Sequence, residues 1–598
     1  MRIKTLFRSL MIGGLALAGC MSYTRSSPTA APQATTVTTP IPTEQTMVKS
    51  SQITDLLFSK AFYQPGEAAR LIVQLKSDVA QPSPARLVAE VSSIAKDVNR
   101  IEQTVTIEGG EQTFELSWDS PAASPRGYGV DLSLETLSGV TLARETTAYD
   151  VLERWPQAPR YGFLSDFFPD RADIPATLAS INRYHLNALQ FYDWMYRHDE
   201  FLTDQEPYVD LFGRKLSRLT VNRMIAAAHE YGIAAMPYTA VYASSMDFFR
   251  KHPDWAIFGV DGKPLVFIEN LMVYMDPRPD SPWTRHLLDQ FDQILEKTAF
   301  DGIHLDQYGD PKIGYDAQGN PYELNTVLAE LINTTQQHVA SHRKDGAVVF
   351  NAVNNWPIED VAPSAEDIVY IEVWPPHTWF TELHGLIAQG QKLGKGKAVV
   401  LAAYVSPTLE HNVRLMDAII FGSGGGHIEL GEQDGLLADP YFPKYEKMSP
   451  ALAETVRRYY DFAIRYEDVI GPATQEATRD YLSRISIPGV SMNPGAGKDF
   501  VLPIVRESKG MTAINLVNLF GLTSPEWKAP LAAAPTPLGE TTLRLNGLDR
   551  RIKAVWMATP DGSNPAPLPL TFDQSAGQAT IQFPGLAYWD LILIEWEN

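Results

Sequence analysis

Two carboxylates, Asp306 and Glu372, stand in segments whose pattern suits acid–base chemistry. Asp306 ends an apolar run within Phe300–Gly309 (FDGIHLDQYG), and Glu372 follows another such run. Two carboxyl groups on different strands can protonate a leaving oxygen and attack the adjacent carbon, as glycoside cleavage requires. From the residues alone, a helix cap or local ion pair stays open for Asp306, and a buried ion pair stays open for Glu372.

The neighbours of the two carboxylates predict different protonation states. Apolar Ile371 and Val373 flank Glu372, and such surroundings raise the pKa of a carboxyl group and favour a general acid. Polar His304 and Gln307 lie near Asp306, so we expect its carboxylate to stay ionised and to act as the nucleophile. His304 itself is expected to be an interior histidine with satisfied hydrogen bonds.

Further polar and aromatic side chains occur at the ends of apolar runs, where a parallel barrel gathers its functional residues. We predict that they contact substrate, the rings by stacking and the polar groups by hydrogen bonds. For the rings, the alternative is packing at the barrel rim. For Asp193 it is a helix cap, and for His427 and Glu429 it is burial within a strand. The set is Gln190, Tyr192, Asp193, Trp194, Tyr238, Gln307, Asn351, Trp374, His427 and Glu429.

The sequence lacks the motifs of several other kinds of catalytic or binding site. The chain has neither an HExxH zinc signature nor a Gly-x-Ser-x-Gly nucleophile elbow. Gly424–Gly426 is not followed by the Lys and Ser or Thr of a phosphate loop. A tight turn into the eighth strand explains the three glycines better. No metal and no cofactor are therefore predicted.

The elements that must position these residues alternate between strand and helix from residue 156 to residue 470, which predicts a (β/α)8 TIM barrel. A long segment, 243–282, follows the third strand and is expected to wall the cleft. Eight strands are predicted: 161–166, 187–194, 233–242, 302–309, 347–354, 367–374, 398–405 and 426–432.

The barrel is expected to lie between two antiparallel β-sandwiches. A chain of 598 residues is too long for one ordinary core. Residues 50–155 show short alternating runs with Pro/Gly turns, which predicts an immunoglobulin-like β-sandwich. The same pattern returns in 471–598 and predicts a second sandwich.

The first 49 residues predict export and anchoring. Arg2, Lys4 and Arg8 precede a short apolar run that ends in Leu17-Ala18-Gly19-Cys20, which resembles a bacterial lipobox. Residues 1–20 are thus predicted to be a lipoprotein signal peptide, and Cys20 the lipidated residue of a membrane anchor facing the periplasm or cell surface. An ordinary cleaved signal peptide is the alternative. Residues 21–49 are rich in Ser, Thr and Pro and are predicted to be a disordered linker.

The overall charge restricts the partners. A formal net charge of -21 repels phosphate backbones, which excludes nucleic acid as an expected partner. A neutral polysaccharide is indifferent to this charge, and an aromatic content of 10% suits stacking on sugar rings. We predict a polysaccharide substrate and a monomer.

Taken together, several segments resemble glycoside hydrolase family 66, the dextranases and cycloisomaltooligosaccharide glucanotransferases. The resemblance implies that Asp306 is the nucleophile and Glu372 the general acid/base in retaining attack on internal α-1,6-glucosidic bonds of dextran. It covers nearly the whole mature chain and implies sandwich, barrel and sandwich. The matching segments are 161–164 (YGFL), 189–198 (LQFYDWMYRH), 300–306 (FDGIHLD), 370–375 (YIEVWP), 429–432 (ELGE) and 441–443 (YFP).

Within that family, the sequence favours hydrolysis. The cyclising members carry a carbohydrate-binding module inserted late in the barrel, and the short segment from Tyr404 to Gly425 leaves no room for one. The alternatives are a cyclising or transglycosylating α-glucanase, an amylase-like barrel enzyme, and a surface lipoprotein that binds glycans without cutting them.

Overall fold

The computed structural model describes residues 51–597. The predicted signal peptide 1–20, its lipidation site Cys20 and the predicted linker 21–49 lie outside the described residues. Within 51–597, no helix is long and apolar enough to cross a membrane.

The first part of the described chain is a two-sheet antiparallel sandwich. Alternating residues such as Leu71, Leu87 and Val130 point between the sheets and form its core. One sheet contains Ser51–Phe58, Ala68–Ser77 and Gly110–Asp119. The other contains Ser83–Ser93, Lys96–Ile107, Arg126–Thr136 and Thr141–Val151.

Eight parallel strands follow, and each pairs with the next in chain order. Their residues are almost entirely apolar because a parallel sheet is covered on both faces. All eight predicted strands are present, mostly shorter at their ends than predicted. They are β1 (Tyr161–Leu164), β2 (Ala188–Phe191), β3 (Ala234–Ala240), β4 (Gly302–Asp306), β5 (Ala347–Val353), β6 (Ile368–Glu372), β7 (Val399–Ala402) and β8 (Gly425–His427).

The parallel sheet curls back on itself. Beyond β8, the chain continues as Leu430–Gly431, and Gly431 pairs with Phe163 of β1. Glycine is required at this contact, since a Cβ at position 431 would lie 2.1 Å from the Phe163 carbonyl oxygen. The carboxyl ends of all eight strands therefore face one mouth.

Helices cover the outside of the curled sheet. Two of them, Pro282–Lys297 and Pro450–Arg465, begin at a serine cap followed by proline. At Ser281, the Oγ accepts a hydrogen bond from the Thr284 amide at 3.0 Å. The helices after successive strands are α1 (Ile174–Arg183), α2 (Arg218–Glu230), α3 (Pro282–Lys297), α4 (Leu324–His342), α5 (Ile358–Val361), α6 (Phe380–Leu393), α7 (Glu410–Gly422) and α8 (Pro450–Arg465).

The long segment after β3 forms structure of its own beside the mouth. It contains a short helix, Met246–Lys251, and a small sheet of Ala243–Ser245, Val266–Ile268 and Met272–Tyr274. Phe267 of this sheet stacks on Tyr308 just after β4, with ring centroids 3.8 Å apart. This contact brings the segment to the end of β4.

The last part of the described chain forms two further antiparallel sheets with a core between them. The six-stranded sheet contains Gln475–Glu476, Val501–Ser508, Met511–Asn518, Ile552–Ala558, Leu568–Pro569 and Trp589–Trp596. The four-stranded sheet contains Ile485–Ser486, Thr541–Asn546, Phe572–Ser575 and Gln578–Phe583. The molecule is thus multidomain and rich in β structure around a curled parallel sheet, and the boundaries at 50, 156 and 471 stay predictions.

Candidate active site

Asp306 and Glu372 lie together at the mouth of the curled sheet, joined by one amide group. Asn351, at the carboxyl end of β5, donates from its Nδ2 to Asp306 Oδ1 at 2.7 Å and to Glu372 Oε2 at 3.0 Å. The three residues lie on adjacent strands β4, β5 and β6. Asn351 was among the predicted substrate contacts, and its observed role is to hold the two carboxylates in one arrangement.

Each carboxylate also accepts a bond from a tyrosine. Tyr238 of β3 donates to Asp306 Oδ2 at 2.7 Å, and Tyr404 donates to Glu372 Oε1 at 2.9 Å. Sequence reasoning missed Tyr404, although its place at the end of a predicted strand was a usable signal. Asp306 and Glu372 retain 9% and 8% of their surface, so they are largely desolvated but still reach the mouth.

The pKa is raised for both carboxyl groups of the pair, whereas the sequence predicted a raised pKa for Glu372 alone. Burial, and then repulsion by Glu372, raise the pKa of Asp306 to about 7, against the opposing bonds from Tyr238 and Asn351. Burial also raises the pKa of Glu372. Both groups therefore resist ionisation, and a proton shared within the pair is favoured.

The side chains of His304 and Gln307, the polar neighbours expected to keep Asp306 ionised, bond to other groups. His304 lies inside the sheet, where its Nδ1 is 2.9 Å from the Tyr161 hydroxyl and burial lowers its pKa to about 3. Its Nε2 has no partner in the described part of the chain, so the expectation of a fully satisfied histidine was wrong. A neutral imidazole adds no positive charge to the pair.

A family model matches nearly the whole described chain. Residues 58–593 match the model of Glycosyl hydrolase family 66. The chain belongs to this family. The resemblance read from the sequence segments is thereby confirmed.

Relatives and a solved structure agree with this assignment. A cycloisomaltooligosaccharide glucanotransferase of Niallia circulans is 24% identical over 718 residues, covering 93% of this chain and 73% of that protein. A dextranase of Streptococcus salivarius is 21% identical over 482 residues, covering 67% and 57%. A crystal structure of Paenibacillus sp. cycloisomaltooligosaccharide glucanotransferase complexed with cycloisomaltoheptaose shares the fold, with a TM-score of 0.85, 21% identity, 91% of this chain and 100% of that chain. A glucan-active enzyme is supported.

Aromatic rings wall the mouth of this family 66 protein beside the pair. Tyr192, which follows β2, lies with its ring centroid 4.9 Å from that of Tyr238 and 4.3 Å from that of Phe442. Trp374, which follows Glu372, is half-buried, and its ring centroid lies 6.3 Å from that of Tyr404. These rings form an apolar wall on both sides of the carboxylates. Sequence reasoning did not select Phe442 as a site residue.

Two more predicted contacts are buried near the mouth. Gln190 points inward from β2, is 2% exposed, and its Oε1 has no partner in the described residues. Asp193 follows β2 in a left-handed conformation, with φ of 48°. Burial raises the pKa of Asp193 to about 7, while Arg214, 3.6 Å from its Oδ2, acts in the opposite direction. Their contact with substrate stays a prediction.

Two predicted substrate contacts instead support the loops. Trp194 is 1% exposed, packs against Phe300 with ring centroids 4.8 Å apart, and donates to the Tyr238 carbonyl oxygen. Gln307 is buried and donates to the carbonyl oxygens of Asn351 and Trp356. Neither side chain is free to contact a sugar, contrary to the prediction, because both point to the helix side of their strands.

His427 and Glu429 also lie away from the pair, contrary to the prediction. Their neighbour Ile428 points into the curled sheet, so they point outward, where His427 Nδ1 lies 3.0 Å from Asp417 Oδ1 of α7 and 3.3 Å from Glu429 Oε2. Tyr460 of α8 donates to Glu429 at 3.1 Å. Within 51–597, this trio is the one group whose His, Asp and Glu ligand atoms lie within 4.8 Å of one another.

The trio is held together by charge. Burial alone would lower the pKa of His427, but Glu429 and Asp417 raise it to about 10. Burial and the neighbouring Glu429 also raise the pKa of Asp417 to about 8. The protonated imidazole offsets part of the desolvation cost of these buried carboxyl groups. We therefore interpret the trio as an ion cluster that ties β8 to the helices α7 and α8.

Proposed function

We propose that this family 66 protein is an endo-acting retaining α-glucan hydrolase that cleaves internal α-1,6-glucosidic linkages of dextran. The observation that carries the proposal is the single Asn351 nitrogen bonded to both carboxylates. Because both bonds are donated by the same nitrogen, Asp306 Oδ1 and Glu372 Oε2 cannot lie farther apart than the sum of 2.7 Å and 3.0 Å. This short separation favours the retaining class. Retaining glycosidases separate their carboxyl groups by about 5–5.5 Å and inverting ones by about 6.5–9.5 Å.

The reaction would proceed in two steps. Glu372 donates its proton to the glycosidic oxygen while Asp306 attacks the anomeric carbon, which breaks the glycosidic bond and forms a glucosyl-aspartate. Glu372, now a carboxylate, takes a proton from water, and the water oxygen attacks the anomeric carbon and releases Asp306. The bonds from Tyr238 and Asn351 support the charged form of Asp306 that each step needs.

The mouth is suited to a neutral, hydroxyl-rich ligand. Asn351 Oδ1 and Gln190 Oε1 are buried without a partner in the described residues, and buried polar atoms are normally hydrogen-bonded. Sugar hydroxyl groups would supply the missing donors. The rings of Tyr192 and Trp374 would supply apolar faces for pyranose rings.

Cyclisation is the second candidate, because the Niallia circulans and Paenibacillus relatives named above are glucanotransferases. The alignment with the Niallia circulans protein spans 718 residues, more than the 598 of this chain. That relative therefore contains segments without a counterpart here. In this chain, α7 fills the short stretch between Tyr404 and β8, which supports hydrolysis without a late inserted module.

A panel of glucans tests the substrate. The protein lacking residues 1–49 would be incubated with dextran, starch and pullulan, and reducing ends would be measured. We expect release from dextran with a rapid fall in polymer size. Release from starch alone would favour an amylase-like enzyme, and binding without release would favour a glycan-binding lipoprotein.

Product analysis separates hydrolysis from cyclisation. Hydrolysis yields linear isomaltooligosaccharides, each with a new reducing end, whereas cyclisation yields rings without one. Mass spectrometry distinguishes the two, since a ring is lighter than the linear oligosaccharide of equal length by one water. Cyclic products as the main fraction would overturn the hydrolytic assignment.

We further propose that the chain is exported and lipid-anchored through Cys20 as a monomer. The basic and apolar leader and its lipobox-like end support this. Full-length protein expressed in bacteria should incorporate labelled palmitate and fractionate with membranes, and Cys20→Ser should do neither. Light scattering of the protein lacking residues 1–49 should give the mass of one chain.

A further inference from the structure

A loop of the C-terminal part of the chain reaches the catalytic mouth. Lys528 lies on this loop, and its Nζ is 5.5 Å from the ring centroid of Trp374, 6.0 Å from that of Tyr404 and 4.9 Å from that of Trp527. Trp374 and Tyr404 are the rings beside Glu372, and Tyr404 bonds its carboxylate directly. The ammonium group thus lies beside the two rings that flank Glu372, and it attracts the Glu372 carboxylate.

The loop is fixed in this position. The Trp527 amide donates to the Thr378 carbonyl oxygen at 3.0 Å, and its indole Nε1 donates to that of His377 at 3.1 Å. Asn412 of α7 donates to the carbonyl oxygens of Trp527 at 2.9 Å and Ala529 at 2.8 Å, on both sides of Lys528. These hydrogen bonds to the loop after β6 and to α7 therefore fix the position of the chain at Lys528.

We propose that Lys528 is a positioning residue of the catalytic site, through which the C-terminal part of the chain sets the protonation state of Glu372. This inference rests on the proposed role of Glu372 as the acid/base. A fixed cation favours the carboxylate form of a nearby acid. Lys528 would thereby help Glu372 to release its proton in the first step and to act as the base in the second.

The charged and titratable groups around this interaction are few. Glu372 faces Asp306, the hydroxyls of Tyr192, Tyr370 and Tyr404, and Lys528. Lys528 faces Glu372 and Asp439. Partial desolvation lowers the pKa of Lys528, and these two carboxylates act against it and favour the ammonium form. Among these groups, Lys528 is the one cation.

The test compares Lys528→Met and Lys528→Gln, which remove the charge, with Lys528→Arg, which keeps it. Lys553→Met is the matched control, because Lys553 belongs to the same part of the chain but its exposed side chain pairs with Glu595. The readout is the pH dependence of carbodiimide labelling of Glu372, measured by peptide mass mapping. Carbodiimides react with the protonated carboxyl group, so the labelling midpoint reports the protonation of Glu372.

We expect the midpoint to rise by about half to one pH unit in both neutral variants and to stay in place in Lys528→Arg and Lys553→Met. The alkaline limb of the pH profile of kcat/KM on dextran should move upward equally. An unchanged midpoint in the neutral variants, or an equal shift in Lys528→Arg, would overturn the proposal. If the wild type does not cleave dextran, the proposed function fails, while the labelling midpoints still decide the role of Lys528.

Discussion

Two buried carboxyl groups that share the nitrogen of Asn351 define the site at the scale of single residues. Burial raises the pKa of each, and the bonds from Asn351 and the two tyrosines lower it again. The free site therefore favours one proton on two carboxyls, which a mechanism with one acid and one nucleophile needs.

Glu372→Gln should lower kcat on dextran about 10²–10⁴-fold, because the amide cannot protonate the leaving oxygen. The matched control is Glu366→Gln. Glu366 is also buried, with 2% of its surface exposed against 8% for Glu372, but it precedes β6, whereas Glu372 ends it. The Glu366→Gln variant should keep near-normal activity. With a glucosyl fluoride, whose leaving group departs without a proton, the Glu372→Gln loss in the first step should be much smaller. Equal losses in both variants on dextran would contradict the assignment.

Asp306→Asn should abolish turnover yet raise stability above acidic pH. The pKa of Asp306 is about 7 in the folded chain and 3.8 as an ordinary carboxyl. The folded chain keeps a proton that the unfolded chain releases, so its stability falls as pH rises from about 4 to 7. The variant escapes this loss and should gain about 1–4 kcal/mol at pH 8, with no gain at pH 4. Thermal melts at both pH values measure it.

The control for this stability effect is Asp247→Asn, at an exposed surface carboxylate. It should show no such dependence on pH. If Asp306→Asn were less stable than the wild type at pH 8, burial would not be the dominant influence on the Asp306 carboxyl.

At the scale of elements, the direction of each side chain on its strand decides its role. Asp306 and Glu372 end their strands and point to the mouth, as does Asn351 near the end of β5. Gln307 instead directs its amide to the backbone of Asn351 and Trp356. On β8, His427 points outward and meets α7. Neighbours in sequence thus divide between chemistry and support, because successive strand residues face opposite sides of a sheet.

His427→Gln should destabilise the fold by about 3–5 kcal/mol, because it removes the cation from beside the buried carboxyl groups of Asp417 and Glu429. KM for dextran at 25 °C should not change. The pKa of His427 is raised above 6.5 to about 10, so its stabilisation is complete below pH 6.5 and is lost as pH rises through 10. Thermal melts at pH 6 and pH 10 test this. Adding Asp417→Asn to this variant should restore part of the stability. If His427→Gln instead raised KM strongly without changing Tm, His427 would be a substrate contact.

At the scale of the whole molecule, one core joins the curled sheet to the C-terminal sheets. Trp589 is fully buried, packs against Phe462 and Tyr459 of α8 with centroids 4.8 Å and 5.7 Å away, and donates to Asn515. The N-terminal sandwich is joined by buried charge, since Arg160 before β1 pairs with Asp150 at 2.7 Å. The flanking sheets are therefore parts of the same packed body.

Trp589→Ala should destabilise the curled sheet and the C-terminal sheets together, by about 3–5 kcal/mol. Calorimetry should show one transition for both parts, shifted to lower temperature. Leu568→Ala, at an exposed position, should leave the transition in place. A separate early transition of the C-terminal sheets, with activity retained after it, would contradict a common core.

The sequence by itself determined the strands, the family and the candidate pair. Eight apolar runs with polar ends are readable because burial on both faces requires them, and Asp306 and Glu372 stand at two of those ends. Tertiary structure alone decided that Asn351 joins the pair and that burial raises the pKa of Asp306 as well as that of Glu372. The fold also decided that Trp194, Gln307, His427 and Glu429 stabilise the structure around the site. It also placed Lys528 beside a mouth formed by residues that lie far earlier in the sequence. Local patterns encode which residues lie in a strand, but desolvation and long-range contacts depend on what folds against them.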